Sequence, residues 1–260
     1  MATAVDQSAF FDWLLRIGDN ALVLGHRVSE WCGHSPVLEE DIALANQALD
    51  LIGQCQLWLG LAGEVEGKGR SADDLAYLRD AADFRNVLLV ERPNGDFGQT
   101  LMRQFLFDAL HINLLRALKT STDKRVVDIA AKAEKEVAYH LERSADLVIR
   151  LGDGTAESHR RMEKALKALW AYTGEMFHDD AVDVAMAEAG IAPLPSSLRT
   201  AWEATVKAVL SEATLPCPDT VWQHGITGAG GGKKGVHSEH LGFILAEMQF
   251  LQRAYPGAVW

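Results

Sequence analysis

The 260-residue chain is 48% hydrophobic and carries a formal net charge of -11. That apolar content excludes a disordered chain, and the acidic balance argues against a nucleic-acid binder, which needs a basic surface. Apolar runs are broken by Asp, Gln or Arg within a few residues, so no transmembrane segment is expected, and Met1–Phe10 lacks the basic-then-apolar pattern of a secretory leader. Cys32, Cys55 and Cys217 are scattered and odd in number, which reads as free thiols in a reducing, cytoplasmic setting.

The periodicity predicts an almost wholly helical chain. Residues 8–32 place Leu14, Ile17, Ala21, Leu24, Val28 and Trp31 on one stripe. Gly33 and Pro36 separate it from a second helix, 37–62, whose stripe is read as Leu38, Ile42, Ala45, Leu49, Ile52 and Leu59. Gly63–Gly69 should break that helix, and Ser71 with Asp74 forms a capping box for a short helix over 72–82.

Pro93-Asn94-Gly95 is a turn, and Asp96 is suited to cap a third long helix, 97–119, with Leu101, Phe105, Ile112 and Leu115 on one face. A fourth helix, 124–151, aligns Ala130, Ala133, Val137, Leu141 and Val148 before Gly152-Asp153-Gly154 stops it. Two short-looped pairs joined by a long crossover give an all-α, ferritin-like four-helix bundle over 8–151. Further helices are expected near 157–177, 180–189 and 197–213. A Pro- and Gly-rich loop, 214–236, then leads to a last helix at 237–254. With no long polar linker before them, these should pack on the bundle as one domain.

A di-iron carboxylate centre in such a bundle needs a Glu from each of two helices and Glu-x-x-His from the other two. The helices offer Asp19, Asp50, Asp108 and Glu136 instead. Asp19 to Asp50 spans 31 residues and Asp108 to Glu136 spans 28, the similar spacing of a pseudo-symmetric site. The imidazole positions are degenerate. Gly53 stands three residues after Asp50, and Tyr139 three after Glu136, with His140 beside it. His111 completes Asp108-x-x-His111, on a helix that normally gives only a carboxylate. The favoured reading is a metal-free polar network of Asp19, Asp50, Asp108, Glu136, Tyr139 and His140, with Arg16, Arg103, Arg143 or a histidine as partners. The plain alternative makes Asp19 and Glu136 surface acids.

Three lesser signals have plainer explanations beside them. Gly228–Gly235 contains Lys233 and Lys234, which could meet an anion or a partner. The stretch fails the P-loop spacing, however, and a flexible tip is the favoured reading. His237 and His240 could share a metal, but capping by Ser238 and packing of His240 explain them better. Seven tryptophans, Trp13, Trp31, Trp58, Trp170, Trp202, Trp222 and Trp260, suit a core or an interface equally.

Long stretches then carry a resemblance: Gly18–Arg27, Glu30–His34, Asp41–Asn46, Leu49–Gln54, Pro93–Phe97, Lys135–Leu141, Arg150–Thr155, Glu212–Leu215, Gly231–Gly235, His237–Gly242, Ala246–Arg253 and Pro256–Trp260. Together they resemble the structural, PaaC-type subunits of the multicomponent phenylacetyl-CoA epoxidases, over nearly the whole chain. The resemblance implies a ferritin-like, non-catalytic subunit without its own cofactor. It would pair with a homologous catalytic subunit that holds the di-iron centre. A small accessory subunit and a reductase using NADPH, flavin and iron–sulfur groups would complete the assembly. The reaction implied is epoxidation of the aromatic ring of phenylacetyl-CoA in aerobic phenylacetate degradation. Two alternatives stay open: a di-iron oxygenase in its own right, and an acyl-CoA-binding module using Lys233 and Lys234.

Overall fold

The computed structural model describes residues 5–218 and 231–258, and the described residues form α-helices, short 3₁₀ turns and connections without a β-strand. The all-α, ferritin-like expectation holds. Two compact units are present, one built from residues 5–93 with the C-terminal segment, the other from the contiguous middle of the chain.

In the first unit, α1 (Gln7–Ser29) and α2 (Leu38–Glu66) form a hairpin. Asp6 caps α1 through its carboxylate, which accepts from the Ser8 and Ala9 amides. The predicted α1 stripe is buried from Leu14 to Val28, while Trp31 falls in the turn after the helix. Gly18 lets the two helices approach, since a Cβ there would stand 2.6 Å from Leu59 Cδ2.

The α2 stripe read from sequence is largely the wrong one: of its six residues only Leu59 is buried, with Ala45 and Ile52 half-buried. Leu38, Ile42 and Leu49 are 70%, 53% and 69% exposed, and the buried face runs through Leu44, Ala48, Leu51, Cys55, Trp58, Leu59 and Ala62. The helix is apolar on both sides, so spacing alone could not choose between them. The expected break at Gly63 also moves. The helix continues to Glu66 and ends at Gly67, a left-handed C-cap with φ +69°. Gly63 is needed for closeness, because a Cβ there would lie 2.2 Å from the Arg70 carbonyl oxygen.

α3 (Ala72–Tyr77) starts with the predicted Ser71–Asp74 capping box but is shorter than expected. A 3₁₀ turn, Ala81–Asp83, and a one-turn α4 (Leu88–Glu91) follow, neither visible in the sequence pattern.

In the second unit, α5 (Phe97–Leu118) pairs with α6 (Lys124–Gly152). Asp96 caps α5 as predicted, accepting from Gln99 N at 2.9 Å. All four predicted core residues of α5 are buried; on α6 Leu141 is only half-buried and Ser144 takes a core position. α7 (Ala156–Trp170) packs on both, then gives way to a 3₁₀ turn at Gly174–Phe177, earlier than expected. α8 (Ala181–Glu188) and α9 (Arg199–Glu212) complete the unit. Trp202 of α9 is fully buried against Trp170 and Phe177, and its indole N–H donates to the Leu106 carbonyl at 2.9 Å.

The chain then returns to the first unit with a 3₁₀ turn, Gly232–Lys234, followed by α10 (Glu239–Met248) and α11 (Phe250–Ala254). The flexible-tip reading fails over 231–235. Gly232 sits where a Cβ would be 1.9 Å from the Asn86 carbonyl oxygen, and Gly235 lies similarly tight on Ala82. These glycines serve close backbone contact, not freedom. Gly228–Gly230, Trp222 and Trp260 lie outside the described residues.

Candidate functional site

Each unit holds a buried polar cluster, and the sequence-predicted acids divide between them.

In the first unit Asp19 of α1 is completely buried. Arg79 faces it with both terminal nitrogens, Nη1 lying 3.0 Å from Oδ2 and Nη2 pairing with Oδ1. The Arg85 amide donates to Oδ2 at 2.8 Å. Such a fork-to-carboxylate pair uses both acid oxygens and neutralises the charge that burial would otherwise penalise. Arg79 is itself fixed, with its guanidinium 4.3 Å from the centre of the Phe84 ring and its carbonyl accepting from Gln249 and Arg253. The partner is therefore none of Arg16, Arg103 or Arg143, and the surface-acid reading of Asp19 is wrong. Asp50, on α2, is only half-buried.

A second buried carboxylate in this unit was not anticipated. Glu91, at the end of α4, is fully enclosed. Its Oε1 accepts from the Ser238 amide at 2.7 Å, and its Oε2 lies 3.0 Å from His237 Nδ1 and 3.2 Å from Asn86 Nδ2. The other ring nitrogen of His237 is 3.0 Å from the Phe84 carbonyl, which can only accept, so Nε2 carries a proton. Arg27 donates to the Glu91 carbonyl through Nη2 at 3.0 Å. His237 thus ties Glu91 to the Phe84 carbonyl. Ser238 stands at the N-cap of α10, yet its hydroxyl makes no capping bond; its amide is held by Glu91 instead. Lys233, expected to reach an anion, is buried at 8% exposed, whereas Lys234 is exposed. The signal for this clamp was present in the glycine spacing of 231–235, but its receptor, Asn86 to Glu91, had no periodic signature.

In the second unit Asp108 of α5 is completely buried. Gln104 Nε2, one turn earlier, donates to Oδ1 at 2.7 Å, and Ser144 Oγ of α6 lies 3.1 Å from Oδ2. Burial pushes the carboxyl up to about 8, against the pull of the Gln104 and Ser144 hydrogen bonds and the Arg143 charge. Ser144 Oγ is placed to donate to this carboxyl, and the Leu141 carbonyl, 3.3 Å away, is a second acceptor for its proton. His111, three residues on, is 3% exposed; burial, helped by nearby His140, drives its imidazole down to about 3. Its Nδ1 meets no hydrogen-bonding partner, while its ring lies 5.3 Å from that of Phe107. His140 is also buried. Glu136 is only half-buried, and Tyr139 is 58% exposed, so the tyrosine does not belong to a buried network. Being beside His140 in sequence turns Tyr139 about 100° round the helix, out to solvent.

These donors do not fit a pair of iron ions. Asp19 is committed to a guanidinium, Asp108 to Gln104 and Ser144, and the positions three after Asp50 and Glu136 supply no inward imidazole. Among the described residues, no three His, Cys, Asp or Glu side chains converge as a metal ion requires. Two pockets of about 590 and 540 Å³ open beside 73–81 and 242–258, and neither is lined by Asp19 or Glu91. Among the described residues no helix is long and apolar enough to cross a membrane.

The family model described as "Phenylacetic acid catabolic protein" matches residues 1–260. One of the subunits of the 1,2-phenylacetyl-CoA epoxidase of Escherichia coli (strain K12) is 49% identical over 248 residues, covering 95% of this chain and 98% of that relative. A family match running from end to end and a relative nearly half identical over almost the whole chain lead to one assignment: the chain belongs to the phenylacetic acid catabolic protein family.

Proposed function

We propose that the chain is the non-catalytic, structural subunit of a phenylacetyl-CoA epoxidase, a role supported by its likeness to the Escherichia coli epoxidase subunit. The observation that carries the non-catalytic part is the state of the inward acids. Asp108 is satisfied by Gln104 and Ser144, and Asp19 by Arg79, so positions that could grip a metal serve polar packing instead. In this reading a homologous catalytic subunit holds the di-iron centre. A small accessory subunit and a reductase with NADPH, flavin and iron–sulfur groups complete a cytoplasmic assembly. The ferritin-like body of this chain supports the catalytic bundle and helps preorganise its ligands.

Iron measured separately in each subunit of the co-purified complex tests the reading. Iron should follow the catalytic subunit alone. Near-stoichiometric iron in this chain, with an oxo-bridge absorption, would establish an oxygenase in its own right. Burial of Lys233 weakens the acyl-CoA-binding alternative, because a thioester's phosphates would meet Lys234 without its neighbour. Calorimetry of the isolated chain with phenylacetyl-CoA should show no heat of binding.

A further inference from the structure

The outward sides of α6 and α7 are finished for water. They carry ion pairs one turn apart, such as Lys124–Asp128, Asp146–Arg150 and Glu163–Lys167. The outward side of α2 is not. Leu38, Ile42 and Leu49 stand 70%, 53% and 69% exposed on a single stripe, at steps of four and seven residues. Single exposed leucines are ordinary, but a row of them along one helix marks a surface that is covered in use. The same stripe continues through Gly53 and Gly60, where a Cβ would meet nothing within 4 Å. Two bare backbone positions in a row of large side chains suit the close crossing of another helix.

We propose that this face of α2 is the docking surface for a long helix of another subunit of the same assembly, one with an apolar seam and basic residues near both of its ends. The proposal rests on the structural-subunit reading. From Leu38 to Gly60 the stripe runs about 33 Å, so only a helix of comparable length can follow it. Charge selects the occupant. Glu39 and Asp41 lie near the start of the stripe and Glu64 near its end. A second α2, laid parallel or antiparallel, would bring acid against acid, and the whole chain adds a net charge of -11. Like-charge apposition of that kind rejects a second copy, whereas lysines or arginines at both ends of the partner helix would fix its register.

Two variants test this with opposite signatures. Ile42→Glu/Leu49→Glu places carboxylates in the seam at exposed positions and should leave the melting temperature of the isolated chain unchanged. Gly53→Leu replaces a helical glycine by a better helix former and should raise that temperature slightly, while filling the crossing point. Each is co-expressed with the other subunits of the same epoxidase and captured through a tag on this chain. Partner recovery should fall at least tenfold for both variants, and stay at the wild-type level for Val184→Glu, an exposed apolar position on α8. Equal recovery by wild type and the two α2 variants would overturn the docking face alone. A wild-type chain that recovers no partner would overturn the subunit reading and the docking face with it. Sedimentation of the isolated wild-type chain should show a monomer; a dimer dissolved by Ile42→Glu/Leu49→Glu would give the face to a second copy and refute the proposal.

Discussion

Ser144 of α6 stands 3.1 Å from Asp108 of α5, and the bond it offers only partly opposes the burial that pushes this carboxyl up to about 8. Asparagine has the same shape and the same donor and acceptor, without the charge. Asp108 has a folded value raised to about 8 from an ordinary 3.8, so the folded state holds a proton that the unfolded state loses across that window. Its contribution to stability is therefore greatest below pH 4 and declines as pH rises to 8. His111 has the opposite sense: its value falls from 6.5 to about 3, so stability rises with pH over that range. The two slopes offset each other between about pH 4 and 6.5. From pH 6.5 to 8 the Asp108 decline stands alone, about 2 kcal/mol in all. Asp108→Asn should abolish that decline in denaturant titrations and match or exceed the wild type at pH 8. Parallel pH profiles for the two proteins would show that Asp108 is ionised in the fold.

Removing Arg79 leaves the enclosed Asp19 carboxyl without its guanidinium partner. Arg79→Met should cost about 3–5 kcal/mol, the usual penalty for orphaning a buried ion. The double variant Asp19→Asn/Arg79→Met should recover part of that loss, because the stranded charge is gone. Additive single-site costs in urea unfolding would mean that the pair is not coupled.

Glu91 ties the returning C-terminal segment to the first unit through His237 and the Ser238 amide. Glu91→Gln should cost about 1–3 kcal/mol, since one oxygen that accepted becomes a donor facing a group that must also donate. Hydrogen exchange should quicken over 231–258 and leave α5 to α9 unchanged. Uniform acceleration across the whole chain would contradict a local tie.

Trp202 is anchored by one hydrogen bond to the Leu106 carbonyl. Trp202→Phe keeps the aromatic contact and loses that bond, and should destabilise by about 1 kcal/mol plus a cavity contribution. Trp202→Ala should cost about 3–5 kcal/mol. A Phe variant as damaging as the Ala variant would place the indole N–H at the centre of this region's stability.

Local chemistry made much of the fold readable. Ser71 with Asp74, and Asp96 before α5, are cap signals that act within one turn, and both are where the pattern placed them. The buried faces of α1 and α5 followed from spacing because the opposite choices were polar or because every face was enclosed. α2 failed for a physical reason: with apolar residues on two sides, periodicity identifies a helix but not its inner face. The candidate site was half readable. Asp19 and Asp108 are buried, as acids within apolar stripes suggest, but their partners Arg79 and Ser144 lie 60 and 36 residues away, beyond any local pattern. Tyr139 was assigned inward from a three-residue spacing, although the helix turns it outward. Glu91, His237 and the glycines of 231–235 escaped because a close backbone contact and its receptor are joined only by the finished fold.

The return of residues 231–258 to α1–α4 sets an order of events on the ribosome. The described residues of the middle unit follow one another along the chain and can mature as they emerge, whereas the opening unit must wait, with Glu91 lacking His237, until residues 231–258 have been made. Nascent chains halted before residue 231 would leave that carboxylate with Asn86 but without His237 and the Ser238 amide, an opening that proteases and chaperones can use to tell unfinished subunits from finished ones before assembly begins.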